Sequence, residues 1–260
     1  MRLFQVDAFA SRLFSGNPAA VVILNAFLAD AILQSIAVEN NLAETAFLVR
    51  RNDDYDLRWF TPKVEVPLCG HATLASAAVV MERLEPQRKH VTFYTRSGAL
   101  AVQRAGNKYL LDLPARFSEP TELPGDLTKA LHVEPLEVVV NEFNYLVVLA
   151  DEDQLRMLAP DMEKIKRLDR PGVIVTARSS GHYDFVSRYF APAKGIPEDP
   201  VTGAAHCMLA PYWAKRLRKT EFRAFQASPR GGEVICRLLN DRVELQGECV
   251  FYLEGEIQVS

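Results

Sequence analysis

The sequence predicts an α+β fold built from two matched lobes, and three observations predict it. Short β-like runs bounded by turn residues alternate with a few helical stretches along the whole chain. Two small-residue helices each open on a glycine, Gly70 and Gly203. The same elements precede both in the same order. Arg58-Trp-Phe-Thr-Pro62 leads through a loop to Cys69-Gly-His-Ala72, and Arg188-Tyr-Phe-Ala-Pro192 leads through a loop to Thr202-Gly-Ala-Ala205. Such an internal repeat points to duplicated lobes about a pseudo-twofold axis.

The elements follow from pattern and punctuation. A strand over Leu3 to Ala8 runs to a turn at Ser15-Gly-Asn-Pro18, and Ala19 to Leu24 forms a second strand. Ile32, Leu33 and Ile36 sit at helical spacing in Ala29 to Glu39, and Asn40-Asn41 ends that helix because asparagine tolerates the left-handed conformation. Glu44 to Val49 and Tyr55 to Phe60 form a hairpin through Asn52-Asp-Asp54. After the Gly70 helix come hairpins with turns at Ser97-Gly98 and Ala105-Gly-Asn107. The proline- and acid-rich stretch Pro114 to Pro124 marks the crossing between a lobe over 1–115 and a lobe over 116–260, whose last strand is free to pair back with the first lobe. Beyond it lie strands at Val138 to Val140 and Tyr145 to Leu149, a helix near Glu152 to Leu158, and strands at Val173 to Ala177 and Tyr183 to Phe190. The Gly203 helix is expected to end or kink at Pro211. Strands at Glu233 to Leu239 and Arg242 to Val259 close the chain around Asn240-Asp241.

Composition excludes several classes. With 48% hydrophobic and 24% charged residues, the chain reads as an ordinary globular protein. A net charge of −3 gives no reason to expect nucleic acid as a partner. No apolar run is long enough for a membrane span, and Met-Arg-Leu-Phe-Gln-Val-Asp7 reads as a strand, not a targeting segment. Cys69, Cys207, Cys236 and Cys249 form no CxxC pair, which fits free thiols in a reducing cytoplasm. The five histidines show no metal-ligand spacing, and phosphate-binding glycine motifs are absent, so neither a metal nor a nucleotide is expected.

The two glycine-opened helices carry the chemistry. A helix N-terminus presents unpaired N–H groups and about half a positive charge, which suits a substrate carboxylate. Gly70 and Gly203 permit close backbone approach. At such an end Cys69 gains thiolate character, or else it is a buried structural cysteine. His71 would be held neutral by the dipole and act as a donor, or it is a packed histidine. Glu44 is a general acid/base with a raised pKa if partly buried, and a surface residue otherwise. Asp199 before Pro200 matches an N-cap followed by proline at the first helical position, and it could also orient a substrate amine.

At these residues the chain resembles the phenazine-biosynthesis PhzF-like family, whose fold is that of diaminopimelate epimerase. The matching stretches are Val6-Asp-Ala-Phe9 with Gly16-Asn-Pro18, Asn41-Leu-Ala-Glu-Thr-Ala-Phe47, Phe60-Thr-Pro62 with Cys69-Gly-His-Ala-Thr73, and Ser187-Arg-Tyr-Phe-Ala-Pro192 with Glu198-Asp-Pro-Val-Thr-Gly203. The resemblance implies two lobes, each a mixed β-sheet wrapped around a central helix, with the active site in the cleft. It also implies isomerase chemistry without cofactor or metal, usually in a homodimer. Of the family enzyme's glutamate, histidine, aspartate and serine, Glu44, His71 and Asp199 match the first three, and Ala204 departs from the fourth. Asn17, Cys69, Gly70, Ala72, Thr202, Gly203 and Ala204 are the expected substrate-binding positions. Thr202 stands where a two-thiol epimerase would carry its second cysteine, which disfavours that mechanism.

The expectation is therefore a proton-moving isomerase acting on a small carboxylate-bearing metabolite. Two alternatives stay open: a one-centre racemase or epimerase using Cys69 and Glu44 as unlike bases, and a homologue that only binds.

Overall fold

The computed structural model describes Met1 to Val259. In chain order its elements are β1 (Arg2–Ala8), β2 (Asn17–Leu24), α1 (Asp30–Asn40), β3 (Glu44–Arg51), β4 (Asp54–Phe60), β5 (Glu65–Val66), α2 (Gly70–Val79), β6 (His90–Thr95), β7 (Gly98–Ala105) and β8 (Lys108–Pro114). They continue with β9 (Glu119–Pro120), α3 (Gly125–Leu131), β10 (Glu137–Val140), β11 (Asn144–Val148), α4 (Glu152–Met157), α5 (Met162–Lys166), β12 (Gly172–Arg178) and β13 (Phe185–Ala191). The last are β14 (Ile196–Glu198), α6 (Gly203–Leu217), β15 (Glu221–Gln226), β16 (Gly232–Leu239) and β17 (Arg242–Glu256). They form two compact units, Met1–Leu113 with the chain from Glu244 onward, and Pro114–Val243.

The units share one topology. In the first, β1 pairs antiparallel with β2, β2 runs parallel to β3, and β3 pairs antiparallel with β4. β4 then pairs antiparallel with β5 and parallel with β6, and β6 pairs antiparallel with β7. The second unit repeats this step for step with β10, β11, β12, β13, β14, β15 and β16. Two parallel neighbours need a crossover between them. The glycine-opened helices supply it: α2 links β4 to β6, and α6 links β13 to β15. The fold is thus α+β with a mixed sheet around a helix in each unit. The final strand β17 pairs antiparallel with β1.

Burial explains the small residues. Every residue of α2 is buried, and Ala72, Ala75, Ala77 and Ala78 are fully so, allowing β1, β2 and β3 to pack directly against the helix. Behind α1, Leu33, Ile36 and Ala37 join Val22, Phe47 and Phe60 in one cluster. The second unit gathers Leu127, Val147, Leu155, Val173, Val175 and Phe190.

The repeated Arg-aromatic-Phe motif has a physical reason. Residues two apart on a strand share a face. The Arg58 guanidinium accordingly lies 5.1 Å over the Phe60 ring, and Arg188 lies 4.9 Å over Phe190. Each arginine also grips a glutamate on the next short strand through two donors. Arg58 Nε and Nη2 donate to Glu65 at 2.8 Å each, and Arg188 Nε and Nη2 donate to Glu198 at 2.7 and 2.9 Å. The loop that enters each glycine-opened helix is pinned in this way.

Two expectations are corrected. Pro211 does not end α6, which continues to Leu217. A proline lacks the N–H that would serve the carbonyl four residues back, here Cys207, and the Arg116 backbone N–H takes its place at 2.9 Å. Nor is Asp199 the N-cap of α6, because the helix begins four residues later and Thr202 holds that position. β15 and the short α3 and α5 were not expected from the sequence. No helix among the described residues is long and apolar enough to cross a membrane.

Candidate active site

The first unit brings four of the expected site residues together. Asn17 opens β2 and Glu44 opens β3, and these parallel strands align Ala19 with Glu44, so both side chains emerge at the same end. The turn before Asn17 depends on Gly16, whose φ is +67° and where an added Cβ would lie 2.3 Å from the Ala8 carbonyl oxygen. At that end of the sheet lies the start of α2. Cys69 is its N-cap in an extended conformation and makes no side-chain capping bond, while Thr73 Oγ1 donates to the Cys69 carbonyl at 2.6 Å.

His71 is the centre of the group. Its Nδ1 faces the Asn17 amide nitrogen at 3.1 Å and the Cys69 sulfur at 3.5 Å. Its Nε2 lies 3.1 Å from Glu44 Oε2. That pair is close but not aligned as a hydrogen bond, and neither atom has a hydrogen-bond partner among the described residues. Asn17 is fully buried, and His71, Cys69 and Glu44 are 4%, 7% and 8% exposed, so these atoms lie away from bulk water.

Electrostatics reverses two expectations drawn from the helix dipole. Burial, reinforced by Glu44, pushes the Cys69 thiol up to about 11 despite the His71 beside it, so at neutral pH it is a thiol and not a thiolate. Burial disfavours a charged imidazole at His71, yet the negative potential of Cys69 and Glu44 outweighs it and holds the ring well above the usual histidine range. With Cys69 neutral, the Glu44 carboxylate is the partner that favours the imidazolium. A charge 3.1 Å away outweighs half a dipole charge.

Glu44, Cys69 and His71 are also metal-ligating types, with polar atoms within 4.8 Å of one another. The imidazole stands between the other two, however, with a different ring nitrogen toward each. A single ion takes only one ring nitrogen, so it could not use both of these short contacts at once.

In the second unit, Asp199, Thr202 and Gly203 come together at the start of α6. The Thr202 hydroxyl donates to Asp199 Oδ2, and the Asp199 N–H donates to the Tyr189 carbonyl at 3.0 Å. Gln226, at the end of β15, was not singled out in the sequence. Its amide donates to the Asp199 carbonyl at 2.7 Å and accepts from the Thr202 N–H at 2.8 Å, fixing the loop at both ends. The only sequence signal was the period-two pattern of Glu221 to Gln226, which turns Gln226 inward. Ala204 occupies the second position of α6, as His71 does in α2, and brings no polar atom there.

His206 parallels Thr73: each bonds back to the carbonyl before its helix glycine. Because a carbonyl only accepts, His206 Nδ1 carries the proton, at 2.8 Å from the Thr202 oxygen. Nε2 is then bare and buried, with no partner among the described residues, and burial lowers the pKa to about 4. In the unfolded chain the ring titrates near 6.5 and binds more protons than the folded form between pH 6.5 and 4. Folding stability therefore falls as pH drops through that window, by about 2 kcal/mol at pH 5. In urea titrations His206→Gln should lose less of its midpoint than the wild type between pH 7 and pH 5. Equal losses would refute this assignment.

The family comparisons agree with this architecture. The model of the phenazine biosynthesis-like proteins (PhzC-PhzF) matches residues 6–255. A Pseudomonas aeruginosa protein named an uncharacterized isomerase is 50% identical over 259 residues, covering 100% of this chain and 99% of its own. A PhzF-family crystal structure from Enterococcus faecalis superposes with a TM-score of 0.95 at 42% identity, covering 99% of both chains. A predicted epimerase from Pseudomonas aeruginosa, 23% identical, shares the fold with a TM-score of 0.79 over 100% of this chain and 99% of its own. The motifs read from Val6 to Gly203, the twice-used topology and these matches lead to one conclusion: the chain belongs to the phenazine biosynthesis-like (PhzC-PhzF) family.

Proposed function

We propose that the protein is an isomerase that moves a proton between two carbons of a small carboxylate-bearing metabolite, with Glu44 as both base and acid. One observation carries this reading. Glu44 Oε2 and His71 Nε2 are buried 3.1 Å apart, unaligned with each other and without other hydrogen-bond partners among the described residues. Buried polar atoms are ordinarily satisfied, and exceptions cluster where a substrate completes the set. The isomerase name of the Pseudomonas relative supports the reaction class.

In the proposed reaction Glu44 removes a proton from one carbon, and the electron pair moves into the adjoining unsaturated system. The same carboxyl returns the proton at the far carbon, so no atom is gained or lost. His71 Nε2–H donates to the negative charge that develops between the two steps. The N-terminal turns opened by Gly70 and Gly203, with Ala72, Thr202 and Ala204, are suited to hold carboxylate groups. In the second unit Asp199 is proposed to meet a substrate amino group, its natural complement. The one-centre alternative needs Cys69 as a base. A thiol at about 11 is ionised to only about one part in 10⁴ at pH 7, which weighs against it.

The test is deuterium uptake from D₂O into a pool of small amino, hydroxy and unsaturated carboxylic acids, read by mass spectrometry. Uptake into one compound with a shifted double bond is the expected result. Uptake with inversion at a single centre would favour the two-base alternative. Binding of a pool member without any uptake would favour the non-catalytic one.

A further inference from the structure

We infer that Asn17 is a positioning residue that keeps the proton of neutral His71 on Nε2, so that the ring meets the substrate as a hydrogen-bond donor and leaves both proton transfers to Glu44. The inference rests on the function proposed above and assigns Asn17 a role other than substrate contact.

Three polar groups from three places in the first unit lie within reach of the ring: Asn17 from β2, Glu44 from β3 and Cys69 from the N-cap of α2. Two of them face Nδ1. The Asn17 amide nitrogen, 3.1 Å away, has hydrogens only to give. The Cys69 sulfur, 3.5 Å away, belongs to a thiol whose pKa is pushed up to about 11, so it too carries a hydrogen at neutral pH. The amide hydrogens can only be met by a bare Nδ1, and the thiol, which can give or accept, is able to turn its hydrogen toward the same lone pair. The proton of the neutral ring is then on Nε2, the side of Glu44.

In the imidazolium both nitrogens are protonated, and the Cys69 sulfur is the acceptor within reach of Nδ1–H. Nε2 carries its proton in either charge state. Surrendering it to a substrate carbon would require the opposite tautomer, with Nδ1–H set against the amide hydrogens. That cost separates a group that stabilises charge from one that delivers protons. The fold secures the arrangement by burying Asn17 fully and placing it directly after the Gly16 turn, so the amide enters from a fixed strand end.

The experiment reads the tautomer without any substrate, so its failure is separable from failure of the proposed reaction. Protein labelled with nitrogen-15 histidine is observed by long-range proton–nitrogen correlation, with His71 assigned by its loss in His71→Asn. The Glu44→Gln protein is used because it lacks the carboxylate that holds the ring protonated. Raising the pH should give a neutral ring with proton on Nε2 and bare Nδ1. Adding Asn17→Asp, whose carboxylate only accepts, should transfer the proton to Nδ1. A neutral ring protonated at Nδ1 in Glu44→Gln would overturn the inference, and so would an imidazolium that persists across the whole folded range. An Nε2 proton unmoved by Asn17→Asp would show that another group sets the tautomer. If the double variant does not fold, the single variant still decides between the first outcomes.

Discussion

Glu44→Gln is expected to lower deuterium uptake by about 10²–10⁴-fold, the usual contribution of a positioned general acid/base. The substitution keeps shape and removes only the capacity to take a proton. Folding should survive, because the strand register around Glu44 is set by backbone pairing of β3 with β2 and β4. Affinity for a bound product should survive for the same reason, since no carboxylate-binding donor is removed. Circular dichroism and calorimetric titration check these two points, so a lost rate can be assigned to chemistry. A second consequence is specific to this site. With the carboxylate gone and Cys69 a neutral thiol, no negative charge beside the ring offsets burial, so the His71 pKa should fall relative to the wild type. Uptake within a few-fold of wild type would remove Glu44 from the mechanism. Cys69→Ala is the informative comparison: the two-base alternative requires an equal loss, and the single-carboxylate reaction a smaller one.

The sequence made some of this legible and concealed the rest, for physical reasons. Local chemistry was readable. Asn41 and Asn240 adopt the left-handed conformation at a helix end and a hairpin turn, and the small residues after Gly70 form a helix buried on every side. The repeated Arg-aromatic-Phe words were readable because both copies use one geometry, an arginine and a phenylalanine two positions apart on a strand. What depends on distant neighbours was not readable. The dipole argument at the start of α2 gave the wrong direction for Cys69 and His71, because Glu44 arrives from 27 positions before His71 and burial acts on both. Pro211 was expected to end or kink α6, and it does not end it: the donor that serves the Cys207 carbonyl comes from Arg116, far away in sequence. Gln226 was silent because a buried glutamine is recognised only by what it holds, and Asp199 and Thr202 lie more than twenty residues upstream.

Arg188→Met is expected to destabilise the protein by about 3–5 kcal/mol, the cost of breaking a buried ion pair from one side. Arg188 is 9% exposed and donates to four acceptors: both oxygens of Glu198, and the carbonyls of Leu155 and Leu158 at 3.2 and 2.6 Å. Those carbonyls lie at the end of α4, where the Leu158 N–H reaches the Leu155 carbonyl only at a long 3.4 Å and the Leu158 carbonyl lies past the last helical turn. Methionine fills part of the volume and satisfies none of the four. Its counterpart Arg58 gives an internal scale. It makes the same bidentate bond to Glu65, but its further partner, Asp30, is 71% exposed in the side chain and is satisfied by water when released. Arg58→Met should therefore cost less than Arg188→Met. The surface pair Arg51–Asp56, 51% and 34% exposed, should cost within about 1 kcal/mol. Urea midpoints at neutral pH test the order. Adding Glu198→Leu to Arg188→Met should recover part of the loss, because it removes the stranded carboxylate. Equal losses in the two arginine variants would mean that the α4 carbonyls contribute nothing, and that the pinning of the helix-entry loop is the whole effect in both units.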